Sequence, residues 1–304
     1  PNGIFAHRLD MSALDMSEAE RKRTYEERWN SGGTTFMAVF KDLLTDADSN
    51  ETAAEFVRSK IREIVKDPAT AELLAPKDYP IGTKRICVDT DYFATFNREN
   101  VELVDIRNAP IDSLTEAGLR QGGKDFAFDA IVFATGFDAM TGTLDRIDIQ
   151  GRDGRSLRAE WEAGPRTYLG MMSAGFPNLF MVTGPQSPSV LSNMIVSIEQ
   201  HVDWMTDCMA HMAAKGFAVV EPTADAQDEW IVHSNETAEK TLYPRAASWY
   251  MGANIPGKPR VFLPYIGGVA RYRDICDEVA ANGYRGFTLT PSVDVRARPA
   301  TVSG

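Results

Sequence analysis

Two short segments do most to decide what this chain can fold into. Asp129-Ala130-Ile131-Val132-Phe133-Ala134 is almost unbroken in apolar side chains and stops at Thr135-Gly136. Asn178-Leu179-Phe180-Met181-Val182-Thr183 repeats the pattern and stops at Gly184-Pro185. A strand wetted on one side alternates apolar and polar residues, so continuous apolar runs predict strands buried on both faces. A glycine where such a strand ends opens the kind of crevice in which doubly wound α/β domains take their ligands. Further β-type runs at residues 85–88 and 101–106 belong to the same region, and Gly151-Arg152-Asp153-Gly154 predicts a hairpin-like turn.

The first eighty residues read differently. Ser17 followed by Glu20 is a capping box, which predicts a charged helix running to about residue 30, where Ser31-Gly32-Gly33 stops it. A second helix is expected over residues 35–44. A third is expected from about Asn50, with Ala54, Val57, Ile61, Ile64 and Val65 on one stripe. Asp67-Pro68 reads as a cap followed by a first-turn proline. Later in the chain a long helix is expected over residues 192–215, closed by Gly216 and carrying Met194, Ile198, Val202, Met205, Met209 and Met212 as core filler. Two more helices are expected over residues 224–239 and 272–283, and the tail after residue 290 reads as disordered.

Composition narrows the function classes. A net charge of −11 repels phosphate backbones and anionic lipid heads, so neither nucleic acid nor membrane is expected as a partner. No apolar stretch approaches the roughly 20 residues of a membrane span, and Pro1-Asn2-Gly3-Ile4 lacks the features of a signal peptide. Cys87, Cys208 and Cys276 are far apart and, with four scattered histidines, form no metal-ligand pattern; reduced thiols in a cytoplasmic protein are the expectation. Phosphate-binding GxGxxG and GxxxxGK[ST] turns, a GxSxG elbow and an HExxH helix are all lacking. By itself this describes an α/β protein of roughly two units with a helical head.

Four longer segments say more. They are Asp91-Tyr92-Phe93-Ala94-Thr95-Phe96-Asn97-Arg98-Glu99-Asn100-Val101, Phe133-Ala134-Thr135-Gly136-Phe137-Asp138-Ala139, Gly184-Pro185-Gln186-Ser187-Pro188-Ser189-Val190-Leu191-Ser192-Asn193 and Ala247-Ser248-Trp249-Tyr250-Met251-Gly252-Ala253-Asn254-Ile255-Pro256-Gly257-Lys258. Together and in this order they resemble type I Baeyer–Villiger monooxygenases, most nearly the phenylacetone and steroid monooxygenase branch, over residues 17–290. The resemblance implies an α/β fold made of parts of two Rossmann-like dinucleotide-binding domains, for FAD and NADP, with a helical insertion. Residues 1–80 then correspond to the insertion, 81–135 to the second segment of the NADP domain, 136–290 to the second segment of the FAD domain and 291–304 to a tail. The first segments, with both glycine-rich turns, are absent, so the implied partner is an N-terminal half of the same enzyme.

The implied activity is oxidation of a ketone to an ester or lactone with NADPH and O2, through a peroxyflavin. Arg85, in the pair Lys84-Arg85, matches the family's catalytic arginine; arginine suits this task because it stays charged and offers several donors. Lys84 matches the lysine that pairs the 2′-phosphate of NADP(H), and Trp249 the tryptophan that contacts NADP. Cofactor contacts are also implied at Thr135, Gly136, Asn193 and Met194, and a substrate wall at Ser189, Val190, Leu191 and Met194. Each has a plainer reading: a solvated basic pair for Lys84-Arg85, a core indole for Trp249 and ordinary helix capping for Ser192 and Asn193. Alternatives of other kinds are a related flavoprotein N-hydroxylating monooxygenase, a disulfide reductase, whose redox CxxC pair is not in this sequence, and a fragment that works only with its missing half.

Overall fold

The computed structural model describes residues 8–32 and 35–291, and the chain divides into two compact units, with the boundary along the sequence between Phe137 and Asp138. The expected tail and the Gly33 part of the first helix stop lie outside the described residues.

In the first unit, local caps set the helices. α1 (Glu18–Asn30) opens with the expected capping box: Ser17 Oγ accepts from Glu20 N–H at 3.4 Å while the Glu20 carboxylate accepts from Ser17 N–H at 3.3 Å. α2 (Ala47–Ile64) starts earlier than expected because Asp46 caps it, accepting from Ser49 N–H at 2.8 Å. α3 (Pro68–Leu74) has Asp67 as its cap and proline in its first turn. Tyr25 on α1 and Phe56 on α2 meet with ring centroids 5.4 Å apart, and Phe36 and Phe40 complete an aromatic core around Tyr25. The helix expected over residues 35–44 does not form beyond one 3-10 turn, Phe36–Ala38. The backbone there is taken by the preceding segment: Leu9 N–H donates to Val39 O at 2.8 Å and Lys41 N–H to Met11 O at 3.3 Å. This irregular path buries Phe36, Val39, Phe40 and Leu43 together.

The strands expected at residues 85–88, 101–106 and 129–134 form no ladder. α4 (Tyr92–Thr95) is a single turn, and the unit's sheet is an antiparallel meander of β1 (Ile111–Thr115), β2 (Gly118–Gln121) and β3 (Lys124–Ala127). The predicted burial of residues 129–134 is also wrong here, since Val132 is 87% and Phe133 69% exposed. The reason is topological. A strand buried in a parallel sheet needs neighbours on both sides, and among the described residues nothing pairs with these segments.

The second unit starts with the expected turn, where Gly151 N–H donates to Arg155 O at 2.8 Å and Gln150 bridges Ser156. After the single-turn α5 (Leu157–Glu160) comes α6 (Met194–Lys215), capped by Asn193 and closed by Gly216 at φ 71°. β4 (Phe217–Pro222), α7 (Ala224–Glu239), α8 (Val269–Ala281) and β5 (Phe287–Pro291) follow, with β4 and β5 antiparallel. Residues 178–183 again make no ladder; of the six only Met181 is buried, its N–H donating to Met171 O at 2.7 Å. The methionine stripe on α6 is also corrected, for Val202 and Met209 are 46% and 50% exposed. The face that packs inward carries Ser197, Gln200, His201, Trp204, Met205, Cys208 and Met212, so three hydrogen-bonding side chains lead it. No helix among the described residues is long and apolar enough to cross a membrane.

Candidate active site segments

The loop between residues 183 and 193 is held by its backbone. Gly184 is needed there, because a Cβ would stand 2.5 Å from Gly170 O; one on Gly170 would stand 2.5 Å from Ser187 N. Thr183, Gln186 and Ser189 all take left-handed backbone, at φ 51°, 66° and 41°, a region unfavourable to residues with a Cβ and stable only where the surroundings impose it. Gln186 supplies much of that restraint. Its side-chain oxygen accepts from Thr167 N–H at 3.2 Å, its amide nitrogen donates to Pro165 O at 3.2 Å, and its backbone N–H donates to Leu263 O at 2.6 Å.

From this base the loop runs through a 3-10 turn, Ser189–Leu191, into α6. Val190, Leu191 and Met194 are half-buried. Ser189 is buried instead, its hydroxyl 3.8 Å from both Met140 Sδ and Met194 Sδ. Asn193 accepts from Ile195 N–H at 3.1 Å, which leaves the positive end of a 22-residue helix beside the loop. The sequence-predicted residues Ser189, Val190, Leu191, Asn193 and Met194 therefore share one turn-and-helix junction.

Trp249 begins a 3-10 turn closed by Gly252 at φ 66°, and its indole lies on Tyr250 with centroids 4.1 Å apart. It is half-buried rather than a core indole. Beside it, Ser248 Oγ is buried with no hydrogen-bond partner among the described residues. An orphaned hydroxyl of this kind is an unmet donor and acceptor, which suits the edge of a polar ligand. Lys258, at the end of the same loop, pairs with Asp138 and donates to Ala139 O at 3.3 Å. This pins the residues that follow the Thr135-Gly136 break.

Lys84, Arg85, Thr135 and Gly136 belong to the first unit. Thr135 and Gly136 are exposed, with Gly136 at φ 90°. The Lys84 ammonium sits 4.3 Å from the centroid of the half-buried Tyr79 ring. Arg85 is exposed and lines a cavity of about 380 Å³ with Trp29, Phe36, Tyr79, Ile86 and Phe93.

One element escaped the sequence reading. His201 on α6 is fully buried and accepts from Thr183 N–H through Nδ1 at 3.0 Å; its Nε2 is 2.8 Å from Tyr272 Oη. Burial pulls its pKa down to about 4, against the Met181 backbone, which favours the charged ring. The available signal was a run of polar residues, Ser197, Gln200 and His201, at the spacing of one helix face. Cys208 and Cys276 lie in the same core, where burial raises their thiols to about 11 and about 12 and so keeps them protonated.

No family model matches the chain. Individual relatives do. A Baeyer–Villiger monooxygenase of Pseudooceanicola batsensis is 41% identical over 289 residues, covering 93% of this chain and 52% of the relative. A phenazine N-monooxygenase of Lysobacter antibioticus is 41% identical over 282 residues, covering 92% of this chain and 51% of the relative. Among solved structures, oxidized steroid monooxygenase bound to NADP superposes with a TM-score of 0.86 at 50% identity, covering 94% of this chain and 54% of that one. The chain spans about half the length of the relatives it matches. With that likeness in sequence and fold running through both units, the chain is homologous to about half the length of Baeyer–Villiger monooxygenases.

Proposed function

We propose that this chain is part of an oxidoreductase, an FAD- and NADPH-dependent monooxygenase that turns ketones into esters or lactones with O2. The observation that carries the reading is the strained, buried loop at residues 183–193. It delivers an apolar wall (Val190, Leu191, Met194) and a helix N-terminus to one place. A ketone needs the first, and the electron-rich edge of a reduced flavin is favoured by the second. When bound, FAD supplies the activation of O2 and NADPH its reducing equivalents. Asn193 and Met194 would lie against the flavin. Trp249, with the unsatisfied Ser248 hydroxyl next to it, would lie against NADP.

In the first unit, Lys84 supplies a cation for a 2′-phosphate, and Thr135-Gly136 a side-chain-poor bend where a cofactor approaches. Arg85 holds the negative charge that builds on the former carbonyl oxygen of the ketone as oxygen adds to its carbon. The assignments of residues 1–80, 81–135, 136–290 and 291–304 to insertion, NADP segment, FAD segment and tail belong to this proposal. So do a cytoplasmic setting and the partner, a half-length segment that brings the glycine-rich turns. The test is to supply FAD, NADPH and a ketone to the protein joined with that segment, and to Arg85→Ala in the same setting. Ester formation that falls about 10²–10³-fold while NADPH still bleaches the flavin is the expected result; normal ester yield from the variant removes Arg85 from the site.

A second reading has one observation behind it, the 41% identity to a phenazine N-monooxygenase. Oxygen transfer to a ring nitrogen forms no tetrahedral adduct at carbon and makes less use of Arg85. Offering a phenazine beside a ketone separates the two: N-oxide with no ester favours the second reading.

A further inference from the structure

Both ring nitrogens of the buried His201 are engaged, and counting protons gives the direction of each bond. Tyr272 has one hydroxyl proton and donates it to Leu169 O at 2.5 Å. Nε2 must therefore be the donor toward Tyr272 Oη, and Nδ1 holds the lone pair that accepts the Thr183 N–H. This is the neutral, Nε2-protonated tautomer, the form that burial favours. The opposite tautomer would set the Nδ1 proton against the Thr183 proton.

What lies at the two ends of this relay is unusual. Thr183, a β-branched residue, is at φ 51°, and Leu169 is at φ 56°; both are in the left-handed region that side chains disfavour. The two turns also press on each other, Gly170 against Ser187 and Gly184 against Gly170, with no room for a Cβ on either glycine. α6 and α8 thus reach, through His201 and Tyr272, to both sides of one strained backbone contact.

We propose that His201 is a positioning residue, which through Tyr272 clamps the Thr183 and Leu169 turns together and thereby fixes the 184–193 loop that borders the cofactor and the ketone. The functional half of this rests on the reading given above, and the structural half does not.

The test compares His201→Gln, His201→Met and Tyr272→Phe. Glutamine keeps an acceptor and a donor at opposite edges; methionine fills space with neither. The readouts are amide hydrogen exchange of residues 183–191, with α7 as an internal control, and the dissociation constant for FAD of the protein joined with the half-length segment. The Met variant should speed loop exchange by about tenfold, Gln should stay within about threefold of the parent, and α7 should not change. Tyr272→Phe should loosen the Leu169 turn in the same way. Equal behaviour of the Gln and Met variants, or acceleration of α7 along with the loop, would mean that His201 only fills volume, and the clamp is overturned. A loosened loop with unchanged FAD affinity upholds the clamp and instead overturns the assignment of the loop to the cofactor.

Discussion

Mild acid should weaken the second unit, and His201 accounts for a calculable share of the loss. Its folded pKa is about 4, against about 6.5 for an imidazole in water. The folded ring is therefore reluctant to take a proton that the unfolded chain accepts readily. Stability from this source is fully present above pH 6.5, falls as the pH drops through the interval, and levels off once the folded ring also protonates near pH 4. Between pH 7 and pH 5 the two titrations give a loss of about 2 kcal/mol, and across the whole interval about 3 kcal/mol. Carboxylates titrate in the same range, so the useful quantity is the difference between the parent and His201→Gln, which keeps both hydrogen bonds and does not titrate. Urea unfolding of the two proteins at pH 7 and pH 5, followed by exchange protection in α6 and α8, should show the parent losing about 2 kcal/mol more than the variant. Parallel losses would refute the argument, because they would mean that His201 is not held neutral in the folded protein.

Other expectations concern packing and caps. Phe56→Ala removes a ring that contacts Tyr25, Trp29 and Phe36 at centroid distances of 5.4, 5.9 and 5.8 Å. It should cost the first unit about 3–5 kcal/mol in urea unfolding, and a loss below about 1 kcal/mol would show that the cluster repacks. Gly170→Ala places a methyl against the Ser187 backbone at positive φ; exchange at residues 184–191 should rise while α7 stays protected, and an unchanged loop would deny the close approach. Ser17→Ala removes one half of the α1 capping box and should cost about 1 kcal/mol, visible as faster exchange in the first turn of α1 and absent if the cap is only incidental.

What the sequence revealed follows how local each cause is. The caps at Ser17, Asp67 and Gly216 act within one turn of their own helices, so residue type alone locates them. The apolar runs near residues 131 and 180 carry a strong strand signal, but a ladder requires a neighbour that the run itself does not specify. The 35–44 segment has helical composition and is claimed by backbone bonds from Leu9 and Met11, some thirty residues upstream. For the site, the Ser189-to-Met194 junction was visible because it is contiguous, though the burial of Ser189 was not. The His201–Tyr272 relay joins two helices in the fold, and no spacing in the sequence points to it. Only the polar interruption of an otherwise apolar helix face hinted that something there had to be satisfied.

The uncovered stretch around Val132 and Phe133 has a consequence for the life of the polypeptide in a cell. An extended, apolar, unpaired segment is what holdase chaperones grip and what proteases cut first. A molecule whose 129–134 segment gained neighbours on both sides would lose that label and escape surveillance. Abundance would then report assembly: pulse-labelled chain should decay fast when made alone and persist when the covering strands are made with it. Quality control would in this way remove chains whose 129–134 segment has found no cover.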